Sequence, residues 1–350
     1  MKKTQVLPDS FITLDEEGYF LQDEMRLNDQ KTGYALLKNM AQDENGAFVS
    51  NVDSRYFFVE VFDEPLIAQF VSFEKSGWQI ICPYETLFSF NLNSLRVDEW
   101  DRFHGRTKED IPFVFSRKAQ MQFFNLLEEF DDDSITWEGK NYPVQLLLKS
   151  FPEVDQEKWW SDVYVSEGNP RWNLAEPAEA LKDMLPRLKL PKSRILVLGC
   201  GEGHDAAFFA QNGHIVTGID VSPEAIKRVK KNYAQVSSLK FEMKDIFSLG
   251  SEYNERFDYV FEHTCYCAIN PVRRQELVKI WNRVLAPGGH LMGVFFGWDK
   301  PQGPPFGGSE WELRQRLNKN YEFIFWGRWR HSLPRRQGRE FFVFAKKKTK

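Results

Sequence analysis

Cysteine is scarce in this 350-residue chain: Cys82, Cys200, Cys265 and Cys267 are too few and too scattered for a disulfide framework. The six histidines show no metal-ligand spacing, and a Cys-x-Cys pair alone does not make a zinc site, so no metal is expected. No stretch approaches the ~20 apolar residues of a membrane span. The start, Met-Lys-Lys-Thr-Gln-Val-Leu-Pro-Asp, has no apolar run behind its basic residues, so no signal peptide is expected. A basic stripe of the kind that binds nucleic acid is also missing, and Lys346-Lys347-Lys348-Thr349-Lys350 is expected to be a solvated tail. These absences predict a reduced, cytoplasmic protein with neither membrane nor nucleic acid as partner.

Apolar bulk and length are present instead. Phe at 31 and Trp at 11 allow a sizeable core, and 350 residues are too many for one ordinary core, which predicts two domains. The net charge of −4 hides an asymmetry. Residues 1–150 carry 15 Lys and Arg against 26 Asp and Glu, a net of −11, and the remainder carries +7. Either the acidic domain docks on the basic one, or two independently drifting surfaces happen to differ in sign.

The first part reads as short strands with turn signals: Tyr56–Phe62, Ile67–Phe73 and Trp78–Cys82. Helical periodicity appears at Thr32–Met40 and across Arg117–Phe130. This is an α+β module over residues 1–148. It ends in Asp131-Asp132-Asp133, read as a solvated turn. Phe151-Pro152-Glu153 breaks the preceding apolar run and sets the boundary. Over residues 149–350 apolar strands alternate with helical stretches. Ile195–Leu198, Ile215–Asp220, Leu239–Met243, Tyr259–Phe261 and Leu291–Phe296 read as strands. Asp205–Gln211 and Pro223–Tyr233 read as helices, the second with Ser222 as N-cap and Pro223 in its first turn. Such alternation predicts a parallel sheet covered on both faces, a doubly wound Rossmann-like α/β domain.

Chemistry concentrates at Leu198-Gly199-Cys200-Gly201-Glu202-Gly203, directly after the first of these strands and opening a helix. Glycines there let the backbone turn tightly and approach a ligand that a Cβ would exclude. Asp220 ends the second strand, where an acid can accept hydrogen bonds from both ribose hydroxyls. A dinucleotide fingerprint would need its third glycine where His204 stands. The Gly199-x-Gly201-x-Gly203 spacing fits an S-adenosylmethionine (SAM) loop instead. Asp245, in Lys244-Asp245-Ile246-Phe247, is either an acceptor for the adenine amino group or a helix N-cap. Leu285-Ala286-Pro287-Gly288-Gly289 makes the turn before the fifth strand.

These pieces, with others in order over residues 159–345, resemble the thiopurine S-methyltransferase family, nearest its thiol and halide methyltransferase branch. The likeness rests on Trp159-Trp160-x-x-x-Tyr164 and Asn169-Pro170-Arg171-Trp172-Asn173, then on the glycine loop running into His204-Asp205. Phe257-Asp258-Tyr259-Val260-Phe261-Glu262-His263-Thr264 and Cys267-Ala268-Ile269-Asn270-Pro271-x-x-Arg274 follow. Gly303-Pro304-Pro305-Phe306 and Arg336-x-Gly338-Arg339-Glu340 complete it. The resemblance implies a SAM site formed by Trp160, Trp172, Gly199, Cys200, Gly201, Gly203, Asp220, Val221, Asp245, Ile246, Phe247 and Glu262. It also implies that the aromatic segment before the first strand folds over the active site. Members often have Asp where Asn173 stands, and Asp-Arg or Asp-Tyr where Glu262-His263 stands. The first 145 residues resemble a bacterial domain of unknown function, which supplies no chemistry.

The resemblance implies methyl transfer from SAM to a small thiol, sulfide or related soft anion, including halide, thiocyanate and selenium or tellurium species. His263, Arg274 and Arg336 are the candidates for anion attraction, His263 only when protonated; alternatively it is a packed, hydrogen-bonded histidine. Cys265 and Cys267 read as pocket wall or core, since methyl transfer needs no enzyme nucleophile. Trp159, Trp160 and Tyr164 are core aromatics or faces for the sulfonium. From a different class, a SAM-binding regulator or interaction module with lapsed catalysis is the alternative, favoured by the acidic domain and the departures at Asn173 and Glu262-His263.

Overall fold

The computed structural model describes residues 11–22, 24–44, 46–131, 134–298, 300 and 302–349. It divides into two compact units: residues 1–149 with Ser309–Trp311, and Ser150–Gly308 with Glu312–Lys350.

Among the described residues the N-terminal unit is built from short strands in four small sheets around a main apolar core that includes Phe20, Leu66, Ile80, Phe113 and Phe123, with a small second cluster at Ala47, Val49 and Phe58. Where a continuous strand over Ile67–Phe73 was expected, the chain changes sheets at Gln69. Leu66–Ala68 pairs in parallel with Pro112–Phe115, and Phe70–Glu74 pairs antiparallel with Gly77–Cys82. The two helices are Gln30–Lys38, capped by the Asp29 carboxylate, and Arg117–Leu126, capped by the Ser116 hydroxyl. The second is shorter than its periodicity predicts, because Glu129–Phe130 turns away to pair with Ser134–Trp137. Asp131 closes that turn by accepting the Ser134 N–H at 2.7 Å; Asp132 and Asp133 lie outside the described residues.

This unit buries a charged cluster. His104 lies between two carboxylates, Nδ1 3.1 Å from Glu64 and Nε2 3.1 Å from Asp98. Arg102 bridges Asp98 and Asp63 at 2.8 and 2.6 Å, and its guanidinium stacks 3.1 Å from the centre of the Trp311 ring. Burial alone would lower the His104 pKa, but hydrogen bonds to Asp98 and Glu64 and the nearby acidic charges outweigh it and lift it to about 9. Trp311 also donates its backbone N–H to Phe62 O and packs edge-on against Trp100.

The second unit carries a seven-stranded sheet. Its strands are β1 (Arg194–Leu198), β2 (Ile215–Asp220), β3 (Leu239–Met243), β4 (Phe257–His263), β5 (Leu285–Phe296), β6 (Tyr321–Arg328) and β7 (Glu340–Lys347). The order is β3-β2-β1-β4-β5-β7-β6, and β7 alone runs antiparallel to its neighbours. Alternate residues of β1 feed two cores, Leu196 and Leu198 on one face, Ile195 and Val197 on the other. Helices α1 (Glu157–Glu167), α2 (Glu179–Leu188), α3 (His204–Gln211), α4 (Pro223–Asn232), α5 (Arg274–Val284) and α6 (Glu310–Asn318) accompany the sheet. Of these, α2, α3 and α4 line the Ile195 side, and α5 and α6 the Leu196 side. The Ser222 hydroxyl caps α4 by accepting the Ala225 N–H. Between Phe257↔Leu285 and Tyr259↔His290 the pairing slips, so Pro287-Gly288-Gly289 bulges out of the ladder. The basic tail is not wholly solvated, since Lys346 and Lys347 belong to β7 and Lys347 Nζ donates to Leu285 O at 2.7 Å.

Among the described residues no helix is long and apolar enough to cross a membrane.

Candidate functional site

In an open sheet of this winding, ligands bind beyond the carboxyl ends of the strands, where the order reverses. Here that point lies between β1 and β4, so the loop after Leu198 and the end of β4 at His263 face one crevice. The three loop glycines all have positive φ, +61° at Gly199, +51° at Gly201 and +81° at Gly203, yet they do different work. A Cβ on Gly199 would stand 2.7 Å from Cys265 Sγ, and one on Gly203 would overlap Val229 and lie 2.9 Å from Phe241. Those two glycines serve packing. A Cβ on Gly201 would meet only the Tyr164 hydroxyl, at 3.1 Å, so this is the position where the backbone faces the cradle under Tyr164.

Asp220 closes the floor of that cradle. Its carboxylate accepts the Gly201 N–H at 2.8 Å and the Ser222 N–H at 2.9 Å. It is only 8% exposed, and burial raises its pKa against the opposing effect of those N–H donors. Asp245 follows β3. It caps a short 3₁₀ turn by accepting the Phe247 N–H at 2.9 Å, with its carboxylate still exposed. Ile246 is buried in the core, and Phe247 lies under the Arg273 guanidinium, 3.4 Å from its ring centre. Val221 and Cys200 are partly exposed beside Asp220 and the loop.

The aromatic segment lies over the loop, and its first part is a regular helix. Trp159, Trp160 and Tyr164 stand on α1, which ends at Gly168 with φ +66°. Trp172 packs edge-on against both Trp160 and Tyr164 at 5.7 Å, and its Nε1–H donates to the Tyr164 hydroxyl at 3.3 Å. Trp160 donates its Nε1–H to Val154 O. Arg228 of α4 ties this cover down, donating to the carbonyls of Gly168 and Tyr164 and pairing with Glu202 of the glycine loop at 3.0 Å. Periodicity gave no role to Arg228; the readable signal was a single arginine four residues after Glu224, which it also contacts at 3.1 Å.

At the other wall, two predicted residues come together with one that was not singled out. His263 Nδ1 lies 2.8 Å from Asp205 Oδ2, and His263 Nε2 lies 3.2 Å from Arg336 Nη1. A guanidinium can only donate, so Nε2 accepts and the ring proton sits on Nδ1, facing Asp205. Of the two readings of His263, this arrangement corresponds to the packed ring, hydrogen-bonded at both nitrogens. Asp205 also accepts the Ala178 N–H at 2.8 Å. Arg336 pairs with Glu340 at 3.1 Å and lies over the Phe296 ring.

Two other expectations are corrected. Arg274 is 1% exposed and serves as an internal strut. It pairs with Glu312 at 3.0 Å and donates to Gly307 O, so it cannot draw in an acceptor. The Glu262 side chain is also 1% exposed and turned inward, accepting the N–H groups of Cys265 and Tyr266 at 2.9–3.1 Å. Burial pushes its pKa up to about 7. Cys265 and Cys267 are buried thiols, Cys267 pushed up to about 12 by burial, which fits wall residues rather than nucleophiles. Asn173 holds its own turn, donating to Asn169 at 2.9 Å and accepting the Ala175 N–H.

Comparison with known proteins bears on the same region. The profile of the thiopurine S-methyltransferase family matches residues 154–341. A thiocyanate methyltransferase from Brassica oleracea is 30% identical over 173 residues, 48% of this chain and 75% of that protein. A 2-heptyl-1-hydroxyquinolin-4(1H)-one methyltransferase from Mycobacteroides abscessus is 28% identical over 43% of this chain and 67% of its own length. A thiopurine S-methyltransferase from Legionella pneumophila is 26% identical over 44% of this chain and 77% of its own. With the profile matched over more than half of its length, the chain belongs to the thiopurine S-methyltransferase family and is a SAM-dependent methyltransferase.

Proposed function

We propose that this enzyme methylates sulfur on a small thiol, sulfide or similarly soft acceptor, with SAM held by Gly201, Asp220, Asp245 and the α1 cover. The single observation that carries the acceptor side is the crevice wall opposite the glycine loop. His263 and Arg336 meet there with their partners Asp205 and Glu340, and the nearby thiols of Cys265 and Cys267 are buried. When bound, SAM supplies an activated methyl on a sulfonium, with a neutral thioether as leaving group.

The chain's own residues then supply alignment and dryness. Gly201 brings the backbone close, Asp220 offers carboxylate oxygens at the end of β2, and Trp160, Tyr164 and Trp172 form an aromatic cover in which Arg228 lies over the Tyr164 ring and the indole faces suit a cation. Soft acceptors suit a site of this kind, because the thiolate is the strong nucleophile and a thiol gives it up more readily than a hydroxyl does. Thiocyanate, thiols and thiopurines in the names of related enzymes support the same class.

The test is release of S-adenosylhomocysteine (SAH) from SAM against a panel of small thiols, sulfide, thiocyanate, halides and selenite. Turnover with at least one sulfur acceptor, and none with amines, is the expected result. A protein that binds SAM but methylates nothing in the panel overturns it.

A further inference from the structure

Asp205, His263, Arg336 and Glu340 form one hydrogen-bonded chain along the wall of the crevice, with separations of 2.8, 3.2 and 3.1 Å. Within that chain two carboxylates face one guanidinium, so it holds one negative charge in excess while His263 is neutral. The imidazole is the one member that can take up a proton and bring the chain to balance. Asp205 is already fixed for that purpose, with one oxygen on the Ala178 N–H and the other on His263 Nδ1. Arg336 Nη1 is shared between His263 and Glu340, so it keeps a partner if His263 Nε2 turns to an acceptor.

We propose that His263 is the general base of this enzyme, oriented by Asp205, and that the site is built for an acceptor that arrives protonated, a neutral thiol. This rests on the thiol reading above and sharpens it. The thiol displaces the Arg336 N–H from His263 Nε2, its S–H proton passes to that nitrogen, and the sulfur lone pair forms the new bond to the methyl carbon. The old carbon–sulfur bond breaks with its electron pair staying on the departing thioether. The products are the methyl sulfide, SAH and an imidazolium that returns its proton to solvent. Asp205 is a positioning residue: its carboxylate keeps the proton of the neutral ring on Nδ1 and stabilises the imidazolium. The adjacent titratable group on β4, Glu262, points inward to the Cys265 and Tyr266 N–H groups, close enough for the charges of His263 and Asp205 to act on it.

The experiment uses the full chain with two acceptors, benzyl mercaptan, mostly protonated near neutrality, and thiocyanate, already an anion. His263→Gln and Asp205→Asn are compared with wild type, after SAH affinity and Tm show that each is folded. For benzyl mercaptan, kcat/KM should fall by about 10²-fold or more in His263→Gln and recover as pH rises; for thiocyanate it should fall by no more than about threefold. Asp205→Asn should show the same selectivity to a smaller degree. Nitrogen-15 NMR gives a readout apart from turnover. The His263 ring should carry its proton on Nδ1 in the free enzyme and on both nitrogens when benzyl mercaptan binds with SAH. Equal losses for both acceptors, no loss for either, or an imidazolium already present in the free enzyme overturns the base assignment. Wild-type enzyme that binds SAH yet methylates neither acceptor overturns the thiol reading itself.

Discussion

The Tyr164 hydroxyl stands over Gly201, 3.1 Å from where a Cβ on that glycine would sit, and among the described residues no other non-neighbouring atom comes within 4 Å. Cover and loop are thus separated at this point by little more than the thickness of a backbone and a hydroxyl. The first prediction follows from it.

Gly201→Ala should weaken SAH binding at least tenfold and cost only the 1–2 kcal/mol of a side chain at positive φ. Gly203→Ala should do the reverse. Its Cβ would overlap Val229 in the core, so the loss appears as stability, about 1–3 kcal/mol from overpacking in addition to the φ penalty. Calorimetry with SAH and melting curves on both variants separate the two; equal loss of affinity with equal Tm contradicts the division of labour.

The cover should be ordered by ligand. Amides of residues 157–172 should exchange more slowly with SAH bound than without, as expected for a segment that completes a site by closing on it. Arg228→Met, which removes the ties to Gly168, Tyr164 and Glu202, should raise the exchange rate in the free enzyme and the KM for SAM more than it lowers kcat. Equal protection with and without SAH counts against a mobile cover.

Arg274 should matter to the fold and not to the acceptor. Removing one partner of a buried ion pair typically costs 3–5 kcal/mol, so Arg274→Ala should lower Tm sharply. Burial opposes ionisation of Glu312, yet the neighbouring Arg274 and Arg316 hold its pKa below the usual carboxylate range. An Arg274 variant that keeps its Tm but loses affinity for anionic acceptors would restore the role that the sequence suggested.

Stability of the N-terminal unit should fall in mild alkali. The His104 pKa is raised from 6.5 to about 9 in the fold. The bound proton therefore stabilises fully below pH 6.5, and that contribution is lost as pH rises through about 9. Urea melts between these limits should show a decline on the order of 2–3 kcal/mol. His104→Gln should be less stable at pH 6 and flat across the same window.

Much of the second unit was legible because its signals are local. Ile195–Leu198, Ile215–Asp220 and the Ser222-Pro223 cap depend on nearest neighbours in sequence, and each appears within a residue or two of its expected place. The glycine spacing and Asp220 were legible for the same reason. What could not be read is decided by partners far along the chain. Nothing near Arg274 announces Glu312, 38 residues on, and nothing near His263 announces Asp205 or Arg336, 58 and 73 residues away. The break at Gln69 was hidden because both halves of Ile67–Phe73 are equally good strands, and only the choice of partner sheet divides them.

The assignment of Ser309–Trp311 to the N-terminal unit has a consequence for biosynthesis. That unit is discontinuous in sequence: about 160 residues separate Lys149 from the short segment that brings Trp311 to Arg102 and Trp100. At ~5–20 residues per second, the ribosome needs roughly ten to thirty seconds to make the intervening chain. During that interval Arg102 lacks its indole and Phe62 O lacks its N–H donor. The N-terminal unit is therefore finished only after most of the unit that follows it in sequence has been made, and its final packing waits on a segment from far downstream.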